Sequence, residues 1–279
     1  MDTKLYLADV RPLADEALFM RLLPTVSDAR RAKVTAFKHE GARRLSLGAG
    51  LLLRFALRAE GLSAGEPCLT EYGKPFFSEL PDFHFSLSHS GDFVLCAVSP
   101  SPVGCDIEQA RRYDSALARR FFHPDERALL FSLPEEQQPE AFYRLWTCKE
   151  SFMKAVGLGF NLPLSDFAVD LGEPPTLRQG VDGRPWRLRS FRLSEYSGAL
   201  CGLAGVADAP ILSVDLSEVK AGKRQGTRLS TSTLRRAVRI STAACAWTRP
   251  PLSGTCWTAR SAATALRFCL SCPAALPIC

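Results

Sequence analysis

The sequence predicts an α+β protein of two similar-sized lobes, because a helical stretch and a cluster of short strands occur twice in succession, with a Pro-rich break between the two sets. Residues 28 to 60 carry Ala36, Phe37, Leu45, Leu47, Leu51, Leu52, Phe55 and Ala56 at helical spacing among Arg and Lys, and Gly61 supplies a stop. Residues 83 to 88 and 93 to 99 read as strands joined through His89-Ser90-Gly91-Asp92 as a hairpin turn. After Pro100-Ser101-Pro102, residues 103 to 108 read as a third strand. The period then changes. Phe122-His123-Pro124-Asp125-Glu126 opens one helix, and residues 141 to 156 form another whose apolar face includes Phe142, Leu145, Trp146, Phe152, Met153 and Val156. Gly157-Leu158-Gly159 ends it, and strand-like segments follow near 167 to 171, 186 to 193 and 199 to 206. The organisation expected is an N-terminal lobe (1–102), a C-terminal lobe (103–219) and a tail (220–279).

Composition sets the class. A chain of 279 residues that is 46% apolar has enough material for one large core or two modest ones. It holds no run of eighteen apolar residues, and its N-terminus lacks the charged-then-apolar pattern of a secretory signal, so no membrane span and a cytoplasmic location are expected. The ten cysteines include a single CxxC, Cys269 to Cys272, and several sit in apolar runs such as Val94-Leu95-Cys96-Ala97-Val98, where a thiol acts as a small buried hydrophobe. Charge divides the chain: residues 1–219 carry 25 Lys/Arg against 29 Asp/Glu, whereas residues 220–279 carry 10 Lys/Arg and no acid. That tail lacks periodicity and is expected to be a disordered, solvated coil. The competing idea of a nucleic-acid arm lacks a lysine-rich run or interleaved aromatics. Either a genuine extension or a shifted reading frame accounts for the abrupt loss of acids.

Three elements carry chemistry. In Val103-Gly104-Cys105-Asp106-Ile107-Glu108 the two acids lie two apart, so on a strand they share a face while Ile107 packs on the other. Taken alone, the pair reads as a solvated strand face. Two carboxylates on one face repel unless a cation sits between them, and hard oxygen donors in small number suit Mg²⁺. In Trp146-Thr147-Cys148-Lys149-Glu150-Ser151-Phe152-Met153-Lys154, Glu150 and Lys154 stand one helical turn apart beside an apolar face. Such a pair is commonly a surface ion pair; partly buried, Glu150 could complete a three-carboxylate site and Lys154 could neutralise a phosphate. The third element is Ser88-His89-Ser90 at the hairpin tip, where His89 and the Ser88 hydroxyl would reach a ligand phosphate. Upstream, Arg30, Lys33, Arg43, Arg44 and Lys74 add cations, and the Gly73-Lys74-Pro75 turn is expected to present its lysine outward.

Together these segments resemble the Sfp-type 4′-phosphopantetheinyl transferases. The likeness runs in order through Gly73-Lys74-Pro75, residues 85 to 90, 104 to 108, Arg120-Phe121-Phe122, 146 to 154 and Gly157-Leu158-Gly159, and covers residues 1 to 219. It implies two pseudo-symmetric lobes with coenzyme A in the cleft between them, and an enzyme of the holo-acyl-carrier-protein synthase type. Asp106, Glu108 and Glu150 would be the magnesium ligands. Arg30, Lys33, Arg44, Lys74, Ser88, His89 and Lys154 would contact coenzyme A, with Arg43 an alternative to Arg44. Glu150 and Lys154 would be catalytic, Glu150 taking the serine proton directly or through a water. The reaction implied moves phosphopantetheine from coenzyme A to a serine of an apo acyl or peptidyl carrier protein, docking near residues 157 to 186, with release of adenosine 3′,5′-bisphosphate. Carriers of fatty-acid, polyketide, nonribosomal-peptide or siderophore synthesis, including secondary metabolism, all fit, and a monomer would suffice. Two other readings stay open on the residues alone: a different magnesium-dependent phosphodiester enzyme, and a non-catalytic coenzyme A or carrier-binding module.

Overall fold

The computed structural model describes residues 1–219 and the backbone of 234–236. The CxxC spacing and nearly all of the expected disordered tail lie outside the described residues. Within that tail, the backbone of β12 (Leu234–Arg236) forms a strand, where a coil was expected, by pairing with the open edge of β11 (Ile211–Val214).

Two sheets are stacked between two helical layers. The first contains β1 (Lys4–Asp9), β4 (His84–Ser90), β5 (Phe93–Ser99), β11 and β12 in the order β12-β11-β1-β5-β4. The second contains β6 (Val103–Gln109), β9 (Arg187–Leu193) and β10 (Tyr196–Gly202) in the order β6-β10-β9. β11 lies parallel to β1, so the chain returns from the second sheet to complete the first.

The side chains of β1 and β5 explain the layering. Tyr6, Ala8, Val94, Cys96 and Val98 pack on the helical side against Leu47, Leu51 and Phe55 of α3 (Glu40–Ala59). Leu5, Leu7, Leu95 and Ala97 point the other way, onto Val103, Cys105, Ile107 and Leu200 of the second sheet. A strand covered on both faces reads as a continuous apolar run, which is why β5 is Val-Leu-Cys-Ala-Val rather than alternating. Each Leu fully buried here stabilises the fold by roughly 1.5–3 kcal/mol relative to exposure.

The helical stretch expected over residues 28 to 60 is two helices. α1 (Glu16–Leu22) comes first; α2 (Asp28–Ala36), capped by Ser27 accepting from the Arg30 amide, then ends where Phe37 and His39 turn extended, and α3 starts afresh. A short hairpin of β2 (Cys68–Leu69) and β3 (Pro75–Phe76) precedes β4. In the second half, α4 (Ser115–Phe121) and α5 (Pro124–Ser132) lead into α6 (Gln138–Val156), which packs on the second sheet and ends at Gly157 in the left-handed conformation. β7 (Ala168–Asp170) and β8 (Thr176–Arg178) form a two-stranded ribbon beyond it.

One contact fixes α6 on the sheet. Gly104 of β6 lies so close that a Cβ there would collide with the Ser151 carbonyl oxygen and the Ala155 nitrogen of α6. A second anchor is a fully buried ion pair. Lys149 Nζ donates to Glu126 Oε1 at 2.6 Å and to the Phe167 carbonyl at 2.7 Å, and the same Glu126 oxygen accepts from the Val169 amide. The other Glu126 oxygen accepts from the His123 amide and closes the capping box of α5. The pair therefore ties α5, α6 and the start of β7 together. Removing one partner leaves the other charge buried, so Lys149→Met is expected to cost about 3–5 kcal/mol, most of it recovered by adding Glu126→Gln. Chemical denaturation measures both, and a Lys149→Met protein as stable as the parent would contradict this account of the anchor.

Candidate active site

β6 and α6 present their charged residues to each other. On β6 the face bearing Gly104 also bears Asp106 and Glu108, while Val103, Cys105 and Ile107 are buried on the opposite side. On α6, Glu150 and Lys154 immediately precede the Ser151 and Ala155 that overlie Gly104. Lys154 Nζ reaches Asp106 Oδ1 at 2.7 Å and Ser88 Oγ at 3.2 Å. Asp106 is 3% and Glu150 7% exposed, so this is a buried charge cluster and not a solvated strand face.

β6 is an edge strand of the second sheet, and it runs over three serines of β4. Ser86, Ser88 and Ser90 alternate on one face and accept from the amides of Cys105, Ile107 and Gln109 at 3.1, 3.3 and 3.1 Å. Ser88 donates to Asp106 Oδ1 at 2.7 Å and Ser90 donates to Glu108 Oε2 at 2.8 Å. Asp106 Oδ2 is buried with no hydrogen-bond partner, an orphan acceptor aimed at no protein donor.

Burial pushes the Glu108 carboxyl up to about 7, with Asp106 and Glu150 adding repulsion against the opposing Ser90 bond and Lys154. Burial likewise raises Glu150 to about 7, aided by Asp106 and opposed by Lys154. Burial disfavours the Lys154 ammonium, but Asp106 and Glu150 outweigh it and its pKa is raised. Among the described residues no three His, Cys, Asp or Glu side chains stand at metal-ligand separation; Lys154 and Ser88 lie on Asp106, and Ser90 lies on Glu108.

His89 sits in a strand, because β4 continues to Ser90 and the turn falls on Gly91, with φ +56°. It is half-buried, not at an exposed tip. Alternation turns it away from the serines; burial lowers its pKa, and the charges of Lys154, Lys33 and Arg30 lower it further. The positive charges of Arg30, Lys33 and Lys154 thus bear on His89 and favour its neutral form. Arg44 makes an i,i+4 pair with Glu40 at 4.0 Å, whereas the Arg43 guanidinium lies over the Phe19 ring. Lys74 does not point outward. Its Nζ donates to the Val103 carbonyl at 3.2 Å and the Ala155 carbonyl at 2.8 Å, because those strand-start and helix-end carbonyls are otherwise short of donors, and burial lowers its pKa to about 8. Ser86, Ser90, Gly104, Lys149 and Glu126 were not singled out from sequence. The alternation Ser86-Leu87-Ser88-His89-Ser90 was the available signal, matching the period of Asp106 and Glu108.

No helix among the described residues is long and apolar enough to cross a membrane.

A model of the 4′-phosphopantetheinyl transferase superfamily matches residues 102–202, the segment from β6 through β10. A 4′-phosphopantetheinyl transferase of Bacillus subtilis is 43% identical over 187 residues, 65% of this chain and 84% of the relative. The transferase Sfp of Bacillus subtilis strain 168 is 39% identical over 58% of this chain and 73% of its own length. A transferase of Bacillus pumilus is 37% identical over 71% of this chain and 89% of its own length.

Both glutamates hold protons in the fold that an exposed carboxylate with a pKa near 4.5 releases. The stability they contribute is fully present below about 4.5 and is lost as pH rises through about 7. In metal-free buffer at pH 8, Glu150→Gln is therefore expected to raise the melting temperature by about 2–4 °C, with no gain at pH 4. Thermal melts at the two pH values check this, and a lower melting temperature at pH 8 contradicts it.

Proposed function

We propose that this chain, which belongs to the 4′-phosphopantetheinyl transferase family and transfers phosphopantetheine to carrier proteins, does so from coenzyme A with Asp106, Glu108, Glu150 and Lys154 as its central residues. The observation that carries the reading is the buried charge cluster between β6 and α6, with Lys154 on Asp106 and Glu150 beside it. The donor chemistry suits Mg²⁺, with three hard carboxylates that repel one another and a buried Asp106 oxygen without a protein partner, although the three stand farther apart than metal-ligand separation. Asp106, Glu108 and Glu150 would hold the ion, which when bound offsets the pyrophosphate charge and stabilises its displacement.

The chain's own residues do the rest. Lys154 is retained as a cation by its acidic neighbours and offers that charge to a phosphate oxygen. Arg30 and Lys33 supply the adjoining positive charge, suited to further phosphates of the same ligand, and His89, whose neutral form they favour, offers a ring N–H donor. Ser88 and Arg44, with Arg43 as the alternative, stay in the contact set. Lys74 contributes by closing the hairpin onto β6 and α6 through the Val103 and Ala155 carbonyls. Glu150, with its pKa raised to about 7, is poised to take the proton of a serine hydroxyl near neutral pH as the hydroxyl attacks the β-phosphate. The bond from that phosphorus to the oxygen bridging the two phosphates breaks, and adenosine 3′,5′-bisphosphate leaves.

The carrier, of acyl or peptidyl type, would dock around residues 157 to 186. Phe160 there is 54% exposed, and Tyr72 of the neighbouring hairpin, whose carbonyl lies beside Gly159, is 46% exposed. A single chain supplies all four central residues, so a monomer is sufficient. Incubation with Mg²⁺, coenzyme A and an apo carrier is expected to raise the carrier's mass by one phosphopantetheine, and Asp106→Ala to lower the rate by roughly a hundredfold or more. Carrier mass unchanged across acyl and peptidyl carriers, or full activity in Asp106→Ala, would count against the reading; nuclease activity indifferent to coenzyme A would favour a phosphodiester enzyme instead.

A further inference from the structure

The serine ladder on β4 divides into two kinds of rung. A serine hydroxyl has one proton to donate and two lone pairs to accept with. In all three serines an acceptor position is used by a β6 amide, of Cys105, Ile107 and Gln109 in turn. Ser86 opposes Cys105 and meets no carboxylate. Ser88 and Ser90 oppose Ile107 and Gln109, each next to an acid, and their protons go to Asp106 Oδ1 and Glu108 Oε2. The amide orients the hydroxyl, and the hydroxyl orients the carboxylate.

Asp106 is held twice, by Ser88 and by Lys154, whereas Glu108 receives its hydrogen bond from Ser90. The 2.8 Å bond from Ser90 holds one of the two Glu108 oxygens, leaving the other for a further ligand. We propose that Ser90 is a positioning residue: from the first sheet it fixes the Glu108 carboxylate of the second, so that the junction between the sheets also preorganises an acid of the site. The inference rests on the reading of Glu108 as a magnesium ligand. Partners that orient a metal ligand without touching the metal commonly change affinity by 10–100-fold.

Isothermal titration calorimetry of Mg²⁺ into the full chain tests it, with melting temperatures measured alongside. Ser90→Ala is expected to weaken Mg²⁺ binding about tenfold or more, and Ser90→Thr, which keeps the hydroxyl, to stay within about threefold of the parent. Ser86→Ala removes a rung that meets no carboxylate, and is expected to lower the melting temperature as Ser90→Ala does while leaving Mg²⁺ affinity within about twofold. Where Ser90→Ala does not fold, Ser90→Cys keeps the volume without a strong donor and carries the same expectation. Parental affinity in the Ser90 variants that lack the hydroxyl, or equal weakening by Ser86→Ala, overturns the proposal. A parent protein that binds no Mg²⁺ overturns the metal reading itself, a result distinguishable from both.

Discussion

The backbone contact between β6 and α6 at Gly104 is the constraint from which the site follows. A strand displays Gly104, Asp106 and Glu108 on one face, and a helix displays Glu150, Ser151, Lys154 and Ala155 on one face. When the first residue of the strand set has no side chain, the strand settles onto the helix backbone, and the carboxylates are carried in beside Glu150 and Lys154. Any side chain at 104 would hold the two elements apart. The geometry of the cluster is thus a consequence of packing before it is a consequence of charge.

Charge then works against the fold. Three acids share a poorly solvated space with one lysine, and two of them have carboxyl pKa values raised to about 7. Burying ions costs several kcal/mol each unless partners compensate. Compensation is local for Asp106, through Lys154 and Ser88, and for Glu108, through Ser90. Elsewhere, the closed Lys149–Glu126 pair satisfies its own hydrogen bonds and secures the helix that carries Glu150. The neighbouring lysines of α6 therefore divide their work: Lys149 is sealed at 0% exposure, whereas Lys154 lies at the cluster where a ligand's phosphates would meet it.

Much of this was legible in the sequence where periodicity is strong. The α+β class, the strands β4 to β6, and α6 with its glycine stop follow from alternation, helical spacing and turn residues. β1 was not read, because a short apolar run buried on both faces has no alternation to betray it. The break between α2 and α3 at Phe37 to His39 contains neither Gly nor Pro, and β11 pairs with a strand some two hundred residues earlier in the chain, a relation no local pattern encodes. In the site, spacings of two and four residues placed Asp106 with Glu108 on one strand face and Glu150 with Lys154 on one helix face, but not the approach of that strand to that helix, and their roles came from the family resemblance. His89 was misplaced into a turn because its flanking serines look like turn residues, although they are ladder rungs. Lys74 was expected to face outward because a Gly-Lys-Pro turn says nothing of the two carbonyls waiting beneath it.

The β6–α6 approach assembles the proposed transfer site from residues that individually are ordinary. Gly104→Ala tests this most directly, because it changes none of the four central residues. Transfer of phosphopantetheine to an apo carrier, followed by carrier mass at saturating coenzyme A and Mg²⁺, with circular dichroism to establish that the variant is folded, gives the answer. The expected result is a folded protein whose transfer rate falls by about a hundredfold or more, as misplacement by an ångström can cost. A folded Gly104→Ala protein transferring at the parental rate would contradict it.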